Sequence, residues 1–131
     1  MGDAHWREIL LIVALLVLVS AACGRPPQDT VSVSGVALAG PVCPVETNPP
    51  DPACAPRPVV GAVVAAVSDS GERVEATTGP EGEFSFELAP GQYEVVAEPA
   101  AGLMETPGPL EVEVGSGPVD LGVLLYDTGI R

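Results

Sequence analysis

The sequence has no lysine, and its single histidine is His5. From Trp6 onward the chain therefore offers neither an imidazole nor a side-chain ammonium. That rules out a Ser-His or Cys-His nucleophile and a lysine Schiff base there, and removes the commonest transition-metal ligand. Basic charge is scarce too: five arginines stand against 18 Asp and Glu, for a formal net charge of −13. Phosphate backbones are held by clustered Lys and Arg, so this balance argues against a nucleic-acid partner. Aromatic residues make up only 4% of the chain, which leaves few flat rings for a sugar to lie against.

What is present begins with an apolar run, Ile9 to Val19, followed by the small residues Ser20, Ala21 and Ala22 and then Cys23. Ile9 to Ala22 is 14 residues, short of the ~20 that span a bilayer as a helix. A short apolar stretch ending in small residues has the form of a cleavable export signal. Val19-Ser20-Ala21-Ala22-Cys23 resembles the lipobox of bacterial lipoprotein precursors. The resemblance implies that the Cys23 thiol receives a diacylglycerol, that cleavage falls just before it, and that Cys23 becomes the mature N-terminus. Two features depart from that pattern: Asp3 and Glu8 offset Arg7, and Ser20 stands where Leu or Val is commoner. An uncleaved anchor and plain secretion are the alternatives, and both put the rest of the chain on the same side of the membrane.

The expected organisation is a signal peptide over 1–22, a tether over 23–29 and one domain over 30–131. The expected location is the outward face of the cell membrane, held by lipid. Gly24 after the cysteine is also compatible with sorting to an outer membrane where one exists. Residues 23–131 carry 16 acids and four arginines, a formal −12. Anionic headgroups repel such a surface, so the acyl chains have to hold it.

The domain alternates short apolar-patterned segments with Gly/Pro turns. Thr30 to Leu38 alternates apolar and small polar residues, and Val59 to Val67 is apolar on both faces. Arg73 to Thr78 follows the Ser68–Gly71 turn, and Glu83 to Leu88 places Phe84, Phe86 and Leu88 on one face. Pro90-Gly91 suits the centre of a type II turn. Gln92 to Glu98, Leu110 to Val114 and Val119 to Tyr126 complete seven strands. No helical period occurs beyond the signal. The expected fold is all-β, a seven-stranded antiparallel β-sandwich.

The pieces Val33-Ser34-Gly35, Gly61-Ala62-Val63-Val64, Thr78, Gly82-Glu83-Phe84-Ser85-Phe86, Leu88-Ala89-Pro90-Gly91 and Tyr93-Glu94-Val95 carry a further likeness. Over roughly residues 31–98 the chain resembles the carboxypeptidase regulatory-like family, a transthyretin-like (prealbumin-like) Greek-key sandwich. The resemblance implies a non-catalytic domain used in folding support, adhesion or surface assembly, with no cofactor and no metal. Gly35, Gly61, Gly82, Pro90 and Gly91 are its fold-defining turns. Gly82 and Gly91 are expected in turns, and Gly61 where a neighbour approaches closely. Gly79 stands where members often have Asp, which puts a cap or cation from that carboxylate in doubt.

Residues 39–58 form a loop with seven prolines and two cysteines, Cys43 and Cys54. Once Cys23 is lipidated these are the remaining thiols, and an even pair in an exported protein is usually a disulfide. Zinc needs more ligands than two cysteines without histidine, and the spacing is not that of a Cys-x-x-Cys redox pair. The stapled loop is either purely structural or a recognition surface, with Asp51 and Arg57 as leading polar contacts and Glu46 and Asn48 behind them.

Two other patterns invite a catalytic reading. Asp127-Thr128-Gly129 matches the aspartic-protease tripeptide, but that chemistry needs two aspartates sharing a proton. A polar clasp between Asp127 and Arg131 is the simpler expectation. Glu81, Glu83, Glu87, Glu94, Glu98, Glu111 and Glu113 read as a solvated face that discourages edge-to-edge pairing. The functional expectation is a non-catalytic, membrane-anchored surface module presenting the stapled loop to an envelope protein. The alternative is a module that binds cell-wall glycan.

Overall fold

A computed structural model describes residues 29–131. The expected signal peptide, the lipid site expected at Cys23 and the expected tether up to residue 28 lie outside the described residues. Among those described, no helix is long and apolar enough to cross a membrane. The chain forms two packed β-sheets. The strands are β1 (Val31–Gly40), β2 (Arg57–Pro58), β3 (Val63–Ser68), β4 (Arg73–Thr77), β5 (Glu83–Leu88), β6 (Gly91–Ala97), β7 (Leu110–Val114) and β8 (Val119–Asp127). One sheet has β1 at its centre, with β5 and β2 along one flank and β8 along the other; the second runs β4-β3-β6-β7.

The sandwich is as expected, with three differences in detail. The strand expected over Val59 to Val67 begins only at Val63, because residues 59–62 carry the chain from one sheet to the other. The two-residue β2 pairs with Leu38 and Ala39 and raises the strand count to eight. And β8 runs parallel to β1, from Val33↔Val119 to Gly40↔Asp127, so the sheets are not wholly antiparallel. The chain crosses between sheets after β7 and enters β8 beside the start of β1, so the two strands point the same way. Strand pairing this remote in sequence leaves no trace in local alternation.

Alternation decides which side chains form the core. Val33, Phe84, Phe86, Leu88 and Leu124 face Val64, Ala66, Val95, Val112 and Val114 of the other sheet. Phe84 and Phe86 meet edge to face with centroids 5.8 Å apart, a geometry that aligns ring edge with ring face. A second cluster closes the end of the sandwich beside the loop. There Tyr126 is fully buried with Ala37, Ala39, Ala62, Ala97 and Val59. The four alanines leave room for one ring between the sheets, and its hydroxyl donates to the Glu98 carbonyl at 3.0 Å. Burial, with Glu98 nearby, raises the Tyr126 phenol above its ordinary range, because the phenolate is the form that low dielectric disfavours.

The outer face of β3 explains the doubly apolar segment. Arg73 in β4 is bonded to Glu75 of its own strand and to Glu98 beyond β3. It thereby spans the row of β3 that holds Ala65, which pairs with Glu75 on one side and Val96 on the other. Ala65 is fully buried although it lies on the outer face. Only a small side chain fits beneath that bridge.

Candidate interaction surface

The loop between β1 and β2 is built by local bonds. Asp51 caps a short 3-10 turn, Pro52–Cys54, by accepting from the Ala53 N–H at 2.9 Å. Thr47 Oγ1 donates to the Pro49 carbonyl at 3.0 Å and accepts from the Asp51 N–H at 3.1 Å. Cys43 and Cys54 are joined by a disulfide with Cα atoms 5.3 Å apart. At its base the loop is tied down where the Thr128 N–H donates to the Gly40 carbonyl at 3.2 Å and its hydroxyl to the Pro41 carbonyl at 2.5 Å. A shallow groove of about 540 Å³ runs across it between Glu46, Thr47, Pro50, Asp51, Pro52 and Pro56.

The four expected contact residues are all exposed, but they do not converge. Glu46 and Asp51 line the groove together. Asn48 and Arg57 do not, and Arg57 sits in β2 opposite Ala39, at the base of the loop. Part of the Asp51 carboxylate is committed to the turn it caps.

Expected outcome of removing the staple: a Cys43→Ser/Cys54→Ser protein stays folded but loses about 2 kcal/mol in urea. That is less than the ~3 kcal/mol of ideal loop closure, since prolines inside the ring already restrict the unfolded loop. The core contains no residue between Cys43 and Cys54, which is why the fold survives. Intact mass before and after reduction checks the bond itself: equal masses would refute it.

The fold-defining positions play roles partly different from those expected. Gly35 is not in a turn; it lies inside β1, where a Cβ would stand 2.7 Å from the Phe84 ring. Gly61 needs no close approach, since nothing lies within 4 Å of its would-be Cβ. Its φ of +74° is what calls for glycine. Pro90 precedes a Gly91 at φ +154° that opens β6, unlike the ~+80° of a type II turn. Gly82 meets both demands, with φ +80° and a would-be Cβ inside the Ala37 carbonyl oxygen. The missing Asp at position 79 is compensated in place. Glu83 accepts from the Glu81 N–H at 2.8 Å, and its carboxylate fills the space a Cβ at Gly79 would need.

Asp127, in the tripeptide that resembled a catalytic motif, has a structural role. Arg131 grips both oxygens of Asp127, at 3.2 and 2.9 Å, and the Gly129 N–H donates to it at 2.7 Å. These donors hold the Asp127 carboxyl below the usual carboxylate range. Stabilisation of this sign is complete above the ordinary range and disappears as pH falls through the folded value. The expected difference in Tm between the wild type and Asp127→Asn is therefore constant near neutrality and closes in acid. A difference that grew on acidification would contradict the clasp. Of the seven glutamates, Glu98 is half-buried in the Arg73 bridge and the rest are exposed. No group of three potential metal ligands occurs among the described residues.

Sequence reasoning missed one surface. On the outer face of the first sheet, Val123 and Leu125 are 57% and 52% exposed beside the half-buried Val36 and Leu38. The unbroken run Val123-Leu124-Leu125-Tyr126 was the available signal, because a strand with a solvated face should alternate.

These features define a two-sheet β-sandwich whose most elaborated part is a stapled loop. The chain belongs to the carboxypeptidase regulatory-like domain family, whose profile matches residues 53–122. That match begins after β1 and runs into β8, beyond the stretch in which the sequence resemblance was read. Comparison with curated proteins finds no match. Among solved structures the fold is similar to GBS52, the minor pilin of Streptococcus agalactiae, at TM-score 0.55 and 13% identity over 76% of this chain and 45% of that one. It is also similar to the major pilin SpaD of Corynebacterium diphtheriae, at TM-score 0.53 and 13% identity over 75% of this chain and 30% of that one. The Bacillus anthracis TIE protein matches at TM-score 0.51 and 15% identity, over 74% of this chain and 17% of that one. This chain thus spans less than half the length of each, and the likeness is one of fold.

Proposed function

We propose that this protein is a non-catalytic sandwich, lipid-anchored through Cys23 on the outward face of the cell membrane, that presents its stapled loop to another envelope protein. The observation that carries this reading is the polarity of the domain. The chain enters β1 at Val31, and the Cys43–Cys54 loop follows directly after Gly40. Ten extended residues span about 30 Å, so the loop stands at the pole opposite the entry of the chain at Val31. Anchoring at one pole frees the other for a partner. The absence of His and Lys from the mature chain and the structural use of Asp127 support a non-catalytic role.

The glycan reading finds less support. Phe84, Phe86 and Tyr126 are buried, and the half-buried Tyr93 has its hydroxyl bonded to the Ala89 carbonyl at 2.7 Å. None is a free stacking face.

The test places a photo-crosslinking residue at Glu46 in the loop or at Ser70 on the opposite pole of the full-length protein in its membrane. Protein adducts from position 46 and not from 70 are expected. Equal yields, or none, would overturn the reading, and loop-dependent retention on wall polysaccharide would replace it with the glycan one. Intact mass of the purified protein checks the anchor: a Cys23 without acyl mass refutes it.

A further inference from the structure

The four long edges of the sandwich are not equally protected. An exposed strand edge templates pairing with another chain, and soluble proteins normally blunt it with charge, proline or a covering segment. Edge strand β4 carries Arg73 and Glu75, β5 carries Glu83 and Glu87, and β7 carries Glu111 and Glu113, all exposed. The remaining edge, β8, is different. Between Asp120 and Asp127 its outward side chains are Val123 and Leu125. Only its end is covered, where Asp127 exchanges bonds with Met104 and Glu105. Among the described residues, no other backbone hydrogen bond reaches β8 from the side away from β1.

The aliphatic surface continues sideways from this edge. Register places Val36 beside Val123 and Leu38 beside Leu125. Leu125 and Pro56 flank Gly40 together, each 3.6 Å from where its Cβ would be. The stripe therefore runs along the edge up to the foot of the stapled loop. Glu83 and Glu87 lie on the strand beyond β1, and Asp120 lies at the open end of β8. Residues 29–131 as a whole hold 16 carboxylates and three arginines. Two of those arginines, Arg73 and Arg131, are already paired with carboxylates.

We propose that the β8 edge is a strand-addition site for an extended basic segment of a partner protein, one alternating aliphatic and Lys/Arg side chains. Main-chain bonds to β8 would supply affinity, and alternate side chains would supply specificity. The Lys/Arg side chains would take the outer face, with their apolar stems over Val123 and Leu125 and their charges toward Glu83, Glu87 and Asp120, while the aliphatic ones alternate onto the inner face beside Leu124. A second copy of this chain fits poorly, because it brings the same excess negative charge to the interface. This site is separate from the loop groove, so each can fail without the other.

Hydrogen exchange on the full-length protein in neutral detergent tests the proposal, with an octapeptide of alternating valine and lysine as probe and one of valine and glutamate as control. The Val/Lys probe is expected to slow amide exchange in residues 119–126 about tenfold at saturation. The Val/Glu peptide should have no effect. A Val123→Lys/Leu125→Lys variant should lose the slowing at unchanged Tm, since both side chains are more than half exposed. Attraction without strand addition leaves exchange unchanged and overturns the proposal. So does equal slowing at β4, β5 or β7. Slowing that rises with protein concentration alone identifies a second copy as the occupant and overturns the choice of partner.

Discussion

Gly82→Ala is expected to lower Tm by about 20 °C, corresponding to about 4 kcal/mol in a domain of roughly 100 residues. Two causes add. At φ +80°, an alanine is strained by roughly 1–2 kcal/mol. The new methyl would also overlap the Ala37 carbonyl oxygen, and that oxygen belongs to the backbone, so no side chain can swing away. Relief requires the Glu81–Gly82 turn to withdraw from β1. Withdrawal breaks the Ala37 N–H bond to the Gly82 carbonyl, 2.8 Å, and disturbs the Val59 N–H bond to the Ala37 carbonyl, 3.0 Å. Each such bond is worth about 1 kcal/mol net. Thermal melts followed by circular dichroism check this, with Gly71→Ala as the comparison. Gly71 has φ +87° but open space around it, so only the strain of φ should appear. Equal losses at the two positions would show that the close approach contributes nothing.

Thr78→Val is expected to cost about 3 kcal/mol, despite nearly unchanged shape. Thr78 is a buried polar side chain, 3% exposed. Its hydroxyl donates to the Val59 carbonyl at 2.6 Å and accepts from the Ala62 N–H at 2.9 Å. Its backbone makes two more bonds to the same segment, Gly61 N–H to its carbonyl and its own N–H to the Ala62 carbonyl. Residues 59–62 carry the chain from one sheet to the other without forming a strand, and the Val59 carbonyl, the Gly61 N–H and both backbone groups of Ala62 bond to this one residue. Valine would orphan a buried N–H and a buried carbonyl, each at roughly 1–3 kcal/mol. Urea denaturation should give a lower midpoint with an unchanged slope, and Thr78→Ser should recover most of the loss. If serine were no better than valine, packing of the methyl rather than the hydroxyl would be responsible.

These two residues mark the boundary of what local pattern reveals. Gly82 and Thr78 could be singled out within the family-like spacing, and a turn role for Gly82 follows from its Gly-Pro-Glu-Gly context. That Gly82 also presses on Ala37, or that Thr78 holds a segment 16 to 19 residues away, depends on sheets that pack only in three dimensions. Gly61 shows the same limit in reverse: a glycine beside a strand reads equally as a close contact or as a positive φ, and the backbone alone distinguishes them.

The sequence by itself determined the all-β class, seven of the eight strands, the inward face of β5, and the lack of imidazole and lysine side chains from Trp6 onward. Those properties follow from side-chain period, turn residues and composition, which are local. Only the tertiary structure decided the parallel pairing of β8 with β1 and the burial of Tyr126 in its box of alanines. The tertiary structure also separated Arg57 from Asp51, placed the loop opposite the entry of the chain, and made β8 an edge of its sheet. Each of these depends on which distant strands become neighbours, and a two-residue alternation carries no record of that.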